Sequence, residues 1–456
     1  MTVILVSGGL RGKRVVGAME RRVGLEQEFF LVDGEGAPSD RSDEFLARCQ
    51  QAAGEEGLDP ETFVGEVSRS MVEINTPPAH TVAELARTYL TGLDLALRVG
   101  RELGIRLYPL ATYPLPMTPT LHTEPSYELQ ARTIGRGRFI HAARCTGVHL
   151  HLELPPGTLD PDAVVSQEVP ATMREELLNL YNLATALDPA LIALTRASPF
   201  YEGRAPGLAV RTAFYRGSAL FGSEGLYTYL PEVGRLRPYA RSVEELVERQ
   251  LAGYRAWLLA MDRAGVERRL FFETGGNALK ASWNPVRLNQ LGTVELRSLD
   301  GNYPRIILAV AALVHDAASR VRKDGLTVEP EARVHAFEVE ENRLVVPGFG
   351  YLGESLSYAA ATEGVESLEV SAYLDSIVEF VAPDSSRPGY LASLRSSEGH
   401  YKTTESRILR DLPLTTHLST DEGLRLVREA CDELEEQVSS LRQEAPEELE
   451  REAEKA

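Results

Sequence analysis

The chain has 456 residues, of which 43% are hydrophobic and 25% charged, a composition typical of soluble globular proteins that excludes collagen-like, disordered and membrane-spanning classes. Its length allows two or three domains, or one large enzyme-sized domain. Acidic residues outnumber basic ones by 67 to 48, a formal net charge of −19, which disfavours nucleic acid and anionic membranes as partners.

The three cysteines, Cys49, Cys145 and Cys431, are too few and too scattered for a disulfide framework, as expected in a reducing compartment. The apolar start, Val3 to Val6, is far shorter than the core of a signal peptide. We therefore expect a cytoplasmic protein.

Strands and helices alternate along the first third of the chain. Apolar periodicity and turn residues predict strands at 2–6 and 21–32, a loop at 33–40, a helix at about 40–55, extended chain at 63–78, and an amphipathic helix at 81–104 with Thr81 as its cap.

The same signals continue to the end of the chain. They predict a strand in "TGVHLHLELPPG" (146–157), helices at 171–195, 243–265 and 305–323, a strand in "TVELRSLD" (293–300), a hairpin around Glu341 and Asn342, a helix at 422–442, and a solvated or frayed acidic tail at 443–456. We find no internal repeat.

The strands carry polar or charged residues at every second position, whereas strands of parallel doubly wound sheets are apolar on both faces. This alternation predicts an α+β fold with a mainly antiparallel sheet, one face of which is polar and accessible to solvent. Residues i and i+2 of a strand share a face, so four strands each present a polar set, namely Glu26 and Glu28; Glu73 and Asn75; His149 and His151; and Thr293, Glu295 and Arg297.

If the apolar faces of these strands pack on helices, the polar residues gather on one surface. So many carboxylates would repel one another and raise one another's pKa unless a cation lay among them. Oxygen-rich ligation with one or two imidazoles suits Mg²⁺ or Mn²⁺ better than zinc. Arg297 would then hold an anion, and Arg211 and Arg287 are further candidates for a phosphate or a substrate carboxylate.

Each pair alone has an ordinary interpretation as a solvated strand face or a structural ion pair. The recurrence of one spacing on four strands favours a shared metal and phosphate site. Other motifs fail: "SGGLRGK" lacks the first Gly and the final Ser or Thr of a phosphate loop, and neither GxSxG nor a GxGxxG after a strand is present.

Five segments resemble the carboxylate-amine ligases of the glutamate-cysteine ligase type 2 family, which are similar in fold to glutamine synthetase. They are "VGLEQEFFLVD", "SMVEINTPP", "CTGVHLHLELP", "ASPFYEGRAPGLAVR" and "SWNPVRLNQLGTVELRSLD", and the likeness runs from about 20 to 320. The resemblance implies a glutamine synthetase-like catalytic region at 20–325, and residues 326–442 would extend the same domain. It also implies that the active site lies on the polar concave face of a curved, mainly antiparallel sheet, with helices packed on the other face.

The resemblance also implies the chemistry. ATP and Mg²⁺ would phosphorylate the side-chain carboxylate of glutamate, and an amine, with cysteine as the leading acceptor, would displace phosphate to give γ-glutamylcysteine and ADP. It places metal ligands at Glu26, Glu28, Glu73, His149 and Glu295, with His151 as a further candidate. It places Arg297 at the arginine that stabilises the transferred phosphoryl group. We further predict a catalytic role for Arg211 and substrate or phosphate binding by Arg287 and Asn75.

The chain departs from the family pattern in places. It lacks a serine shortly before Arg211, has Tyr201 where tryptophan is common, and loses the likeness beyond about 325. These departures leave the activation of a carboxylate intact and the acceptor amine open. Water must be kept from an activated carboxylate, so we expect a lid near 202–216 or 384–410.

Two other functions remain open from the sequence. One is a metal-dependent amide hydrolase built around His149 and His151, and the other is a non-catalytic protein of this fold that binds a nucleotide or an amino acid. The apolar helices would serve a homo-oligomer or a core equally well, so the oligomeric state stays open.

Overall fold

The structure, a computed structural model, describes residues 21–217, 220–383, 389–412 and 417–453. The strand predicted at 2–6 lies outside these residues. Within them, most predicted elements are present with bounds shifted by one to three residues, and the predicted cap of the second helix is confirmed, because Thr81 Oγ1 accepts a hydrogen bond from Glu84 N at 3.1 Å.

Twelve strands occur in the described residues. They are β1 Val23–Val32, β2 Phe63–Gly65, β3 Met71–Asn75, β4 Arg106–Tyr108, β5 Gly147–Glu153, β6 Leu159–Asp160, β7 Val164–Val165, β8 Val286–Asn289, β9 Thr293–Asp300, β10 Thr327–Glu331, β11 Glu338–Glu340 and β12 Arg343–Pro347.

Fifteen α-helices accompany these strands in the described part of the chain. They are α1 Ser42–Glu56, α2 Val82–Leu103, α3 Pro125–Ile134, α4 Arg136–Phe139, α5 Ala171–Thr195, α6 Val210–Arg216, α7 Pro231–Gly234, α8 Val243–Arg263, α9 Arg268–Glu273, α10 Pro304–Lys323, α11 Ser357–Thr362, α12 Leu368–Val381, α13 Leu391–Leu394, α14 Thr404–Asp411 and α15 Thr420–Ala453.

The largest sheet has seven strands in the order β2-β3-β1-β5-β9-β8, with β4 paired to the end of β1. All its pairings are antiparallel, as the alternation predicts. The chain thus places the four polar strands next to one another, in the order β3, β1, β5 and β9.

One face of this sheet is apolar and packs on α2, α5 and α10 in one buried cluster that includes Leu25, Leu150 and Leu296. Gln27 interrupts this face and is fully buried. Its side chain donates to Asn302 O at 2.8 Å and accepts a hydrogen bond from Tyr89, so the buried amide is satisfied.

The segment after 325 packs on the same core. Its strands form a three-stranded sheet in the order β10-β12-β11, with the predicted hairpin at Glu341 and an unpredicted parallel pairing of β10 with β12. Buried residues of this segment, such as Leu344 and Tyr373, belong to the cluster under the main sheet. Each domain boundary of the sequence analysis stays a prediction.

The acidic tail predicted at 443–456 is helical over its described part, because α15 continues to Ala453. Glu444 accepts hydrogen bonds from Arg305 of α10 at 2.7 and 2.9 Å. The pattern of isolated glutamates could not show this ion pair, since its partner lies 139 residues earlier in the chain.

One helix of the described residues, α5, is long and apolar enough to cross a membrane by length and composition. Its most apolar window is 89% buried inside the protein. This burial agrees with its position under the main sheet as a core helix.

Candidate functional site

The register of the main sheet sets the predicted polar residues opposite one another. It pairs Glu26 with Asn75 and His149, Glu28 with Glu73, and His151 with Glu295. Arg287 of β8 lies opposite Glu295 on its other side. Five adjacent strands therefore supply one polar sheet face.

His149 lies between the two carboxylates of β1. Its Nδ1 is 2.9 Å from Glu26 Oε2, and its Nε2 is 3.7 Å from Glu28 Oε1. Burial and the positive charge of Arg297 lower the pKa of His149, which favours the neutral imidazole that a metal ion requires.

His151 is a second imidazole partner of Glu26. Its Nε2 lies 3.2 Å from Glu26 Oε1 and its Nδ1 lies 2.9 Å from Thr293 Oγ1. Burial lowers the pKa of His151, but the charge and hydrogen bond of Glu26 together with the charge of Glu295 outweigh burial and raise it. Burial likewise opposes ionisation of Glu26, yet the two histidines hold its pKa well below the ordinary value.

Glu295 is fully buried and is held by cations. Arg287 binds it through two nitrogens, with Nε 2.6 Å from Oε2 and Nη2 3.1 Å from Oε1, and Arg297 and Asn289 also donate to it. Burial favours the neutral acid, but the two arginines prevail and keep the pKa of Glu295 well below its usual range.

The other carboxylates lie close together with fewer cations. Glu28 Oε2 accepts a hydrogen bond from Gly147 N at 2.6 Å. Burial and the charges of Glu26 and Glu66 raise the pKa of Glu73 well above its ordinary value, and burial together with Glu28 raises the pKa of Glu66 to about 8. This group therefore favours an added positive charge.

A cavity of about 220 Å³ opens over the polar face. Its sheet side carries carboxylates, one imidazole and two guanidinium groups, and its other side is mostly apolar and aromatic. The lining residues are Glu26, Glu28, Glu66, Val67, Glu73, Tyr127, Gln130, Phe139, Ala142, His149, Leu226, Tyr227, Trp283, Arg287 and Arg297.

A second chamber of about 300 Å³ adjoins the first, and the two share Gln130, Trp283 and Arg287. The second chamber is more apolar. Its other lining residues are Ser126, Leu129, Trp257, Phe271, Thr274, Gly276, Leu279, Lys280, Asn289, Gln290 and Leu291.

Four of the predicted site residues are not among the residues that line the first cavity: Asn75, His151, Arg211 and Glu295. Asn75 hydrogen-bonds to Glu73, and His151 and Glu295 support the lining residues as described above. Arg211 is 3% exposed and donates from Nη1 to the backbone oxygen of Arg297 at 2.8 Å.

The segment predicted as a lid at 202–216 ends in α6, which two buried arginines tie to β9. The second predicted lid segment, 384–410, is described only from 389 onward. Lid motion in either segment stays a prediction.

Five lining residues of the two chambers are not predicted from the sequence: Glu66, Tyr127, Gln130, Trp257 and Trp283. Glu66 follows β2 directly, in "FVGEVSRSMVEIN", where we predicted one extended stretch. The only feature of that stretch that could have indicated a site residue is the position of Glu66, a second acid seven residues before Glu73. Tyr127 and Gln130 share one face of α3, at the i, i+3 spacing that a helix allows.

The fold and the polar face define the class: an α+β protein built around a carboxylate-rich cavity on one face of an antiparallel sheet. The model of the glutamate-cysteine ligase family 2 matches residues 22–342, and the chain belongs to this family. The family that the sequence predicts is therefore confirmed.

Curated relatives carry the family's name. A "Putative glutamate-cysteine ligase 2-3" of Rubrobacter xylanophilus is 29% identical over 314 residues, which cover 68% of this chain and 71% of that protein. A "Putative glutamate-cysteine ligase 2" of Pseudomonas aeruginosa is 28% identical over 190 residues, which cover 41% of this chain and 44% of the relative. The match with the latter thus spans less than half of the relative's length.

A solved structure shows the same fold. The glutamate-cysteine ligase of Francisella tularensis, in complex with AMP, has a TM-score of 0.50 and 11% sequence identity, and the alignment covers 95% of this chain and 94% of that one. This likeness confirms the predicted fold class.

Proposed function

We propose that this protein is an ATP-dependent carboxylate-amine ligase. It phosphorylates the side-chain carboxylate of glutamate and joins it to an amine, with cysteine as the first acceptor, to give γ-glutamylcysteine, ADP and phosphate. The observation that carries the proposal is the cavity in which four glutamates and a histidine face two arginines. Family membership supports the same reaction class.

The residues of the cavity fit a divalent cation. Two overlapping groups place one ligand atom of each member within 4.8 Å of the others: Glu26, His149 and Glu295, and Glu28, Glu73 and His149. Glu66 adds an acid beside the second group. Carboxylate oxygens with one imidazole suit Mg²⁺ or Mn²⁺.

The two groups differ in whether their carboxylate oxygens already accept hydrogen bonds from protein cations and amides. Glu295 already accepts hydrogen bonds from Arg287, Arg297 and Asn289, whereas the acids around Glu28 and Glu73 repel one another. The second group is therefore the better-supported cation position. A bound cation there would neutralise phosphate oxygens and lower the barrier to phosphoryl transfer.

The cavity needs no covalent nucleophile for this reaction, because the substrate carboxylate attacks the γ-phosphate of ATP and the amine then displaces phosphate from the acyl phosphate. The Arg297 guanidinium faces the cavity and would stabilise the negative charge on the transferred group. The apolar wall of Leu226, Tyr227 and Trp283 would limit the access of water.

We place the base of the nucleotide in the second chamber. Trp283 and Arg287 line both chambers, so a base among the apolar side chains of the second can direct its phosphates toward the cations of the first. Apolar and aromatic side chains are the usual lining of sites that bind flat organic groups.

The two tryptophans of the chain report on this placement, since Trp257 lines the second chamber and Trp283 lines both. Adenosine, which lacks phosphate, is expected to change the intrinsic fluorescence of Trp257→Phe and of Trp283→Phe protein alike. A change that is lost in Trp283→Phe alone would show that only Trp283 senses the base and would move the base to the first cavity. No change in either variant would remove the base from both chambers.

The function is tested by measuring ADP and phosphate formed from ATP and Mg²⁺ with glutamate and a panel of amines that includes cysteine. We expect amine-dependent ADP formation and a stoichiometric amide product identified by mass spectrometry. No amine-dependent product with any member of the panel would refute the ligase. Zinc-dependent cleavage of an amide without ATP would establish the hydrolase in its place.

A further inference from the structure

The pairing of β5 with β9 contains a bulge at the arginine that faces the cavity. Val148 lies opposite Leu299 and Leu150 opposite Leu296, so Arg297 and Ser298 of β9 together face His149 alone. A bulge of this kind bends the strand and changes the direction of its side chains. Arg297, the first residue of the bulge, lines the cavity.

The backbone of Arg297 is held at the bulge by partners outside the β5 ladder. Its N–H donates to Pro285 O at 2.8 Å, and its carbonyl oxygen accepts from Arg211 Nη1 at 2.8 Å. A buried backbone carbonyl needs such a partner, and a charged donor forms a strong hydrogen bond.

Gly147 makes room for the Arg211 guanidinium. A Cβ on this residue would lie 2.1 Å from Arg211 Nη2, so only glycine permits the contact. The N–H of the same Gly147 donates to Glu28. Arg211 thus lies between β5 and β9. On the β5 side it contacts Gly147, which binds Glu28, and on the β9 side it binds the backbone of Arg297.

The last residue of α6 holds the second residue of the bulge. Arg216 Nη2 donates to both carboxylate oxygens of Asp188 at 2.6 Å and to Ser298 Oγ at 2.7 Å. Asp188 and Arg216 are both buried. One short helix therefore holds both residues of the bulge, through Arg211 and Arg216.

We propose that Arg211 is a positioning residue that acts through Arg297, and that it does not bind substrate. It fixes the backbone of the bulge and thereby the direction of the Arg297 side chain. This inference rests on the proposed ligase function. It replaces the catalytic, anion-binding role that the sequence predicts for Arg211.

The test is a double-mutant cycle on kcat with Arg211→Gln and Arg297→Lys. Arg211→Gln is expected to lower kcat about 10- to 100-fold, since a displacement near 1 Å costs about that much, and to leave KM for ATP and for glutamate within about twofold. In the Arg297→Lys background the same substitution should have little further effect, because the two act as one unit.

Arg211→Lys discriminates positioning from anion binding. A lysine can still donate to the Arg297 carbonyl and should restore part of kcat, whereas a site that binds an anion through two guanidinium nitrogens would not accept lysine. Additive effects in the cycle, or a raised KM with unchanged kcat, would overturn the proposal. If Arg211→Gln does not fold, the Lys variant is used in the same cycle with the same criteria.

Arg241→Gln, at an arginine whose side chain is 87% exposed, is the matched control and should keep wild-type kinetics. If wild-type protein shows no ligase activity with any amine, the proposed function has failed. A crystal structure of Arg211→Gln then still decides the positioning role: a displaced Arg297 supports it, and an unmoved Arg297 refutes it.

Discussion

Replacing Arg297 by alanine is expected to lower kcat by about 10³-fold, with KM for ATP changed much less. Removing one preorganised donor that meets charge in a transition state costs about 10²- to 10³-fold, and Arg297 also shares Glu295 with Arg287. Steady-state kinetics of ADP release measure both parameters, and the thermal unfolding midpoint shows whether the variant is folded.

The conservative counterpart of Arg297→Ala is Arg297→Lys, which keeps the positive charge but loses the planar guanidinium group and its several N–H donors. It should recover only part of the loss, because lysine acts as a point charge where arginine presents several fixed donors. Arg241→Lys, whose side chain is 87% exposed, should behave as wild type. An Arg297→Ala enzyme that keeps more than about a tenth of wild-type kcat would show that Arg297 makes no contact special to the transition state.

Much of this site could be predicted from the sequence because side chains alternate along a strand. Glu26 and Glu28 face the cavity since Leu25 and Phe29 face the helices, and the same period applies to His149 and its neighbours. The alternation does not encode which strands are adjacent. That order depends on long-range pairing, and the structure was needed to bring β3 beside β1 and β5 beside β9.

Alternation along a strand cannot predict the position of residues that lie outside regular strands. Glu66 comes after β2 ends at Gly65, so no alternating pattern includes it. The bulge at Arg297 breaks the period itself, and the contacts that stabilise it come from Arg211 and Arg216, more than 80 residues earlier in the chain. A sequence could suggest an anion site for Arg211 but could not show that its guanidinium binds a backbone carbonyl.

The most direct test of the cation site is Glu73→Gln, which should stabilise the metal-free protein and remove its response to Mg²⁺. The pKa of Glu73 is raised by burial and by the negative charges of Glu26 and Glu66. A raised carboxyl pKa means that stability present below the unfolded-state pKa is lost as the pH rises toward the folded-state value. At neutral pH, a neutral glutamine avoids this cost.

We expect the melting temperature of metal-free Glu73→Gln to exceed that of wild type by roughly 2 °C or more. Millimolar Mg²⁺ should raise the melting temperature of the wild type, because a ligand that binds only the folded state stabilises it by mass action, and should raise that of the variant little. Ligase activity should fall by about 10²-fold or more, since the cation contributes to phosphoryl transfer.

Glu398→Gln removes one exposed carboxylate and supplies the control for net charge. It should leave both the metal-free melting temperature and the Mg²⁺ response unchanged. An equal Mg²⁺ response in Glu73→Gln and wild type would place the cation elsewhere. A variant that is less stable without metal would show instead that the Glu73 carboxylate stabilises the fold through its neighbours. The metal-free melting temperature and its change with Mg²⁺ therefore distinguish two cases. In one, the carboxylates repel one another until a cation binds; in the other, they form an ordinary network of buried hydrogen bonds.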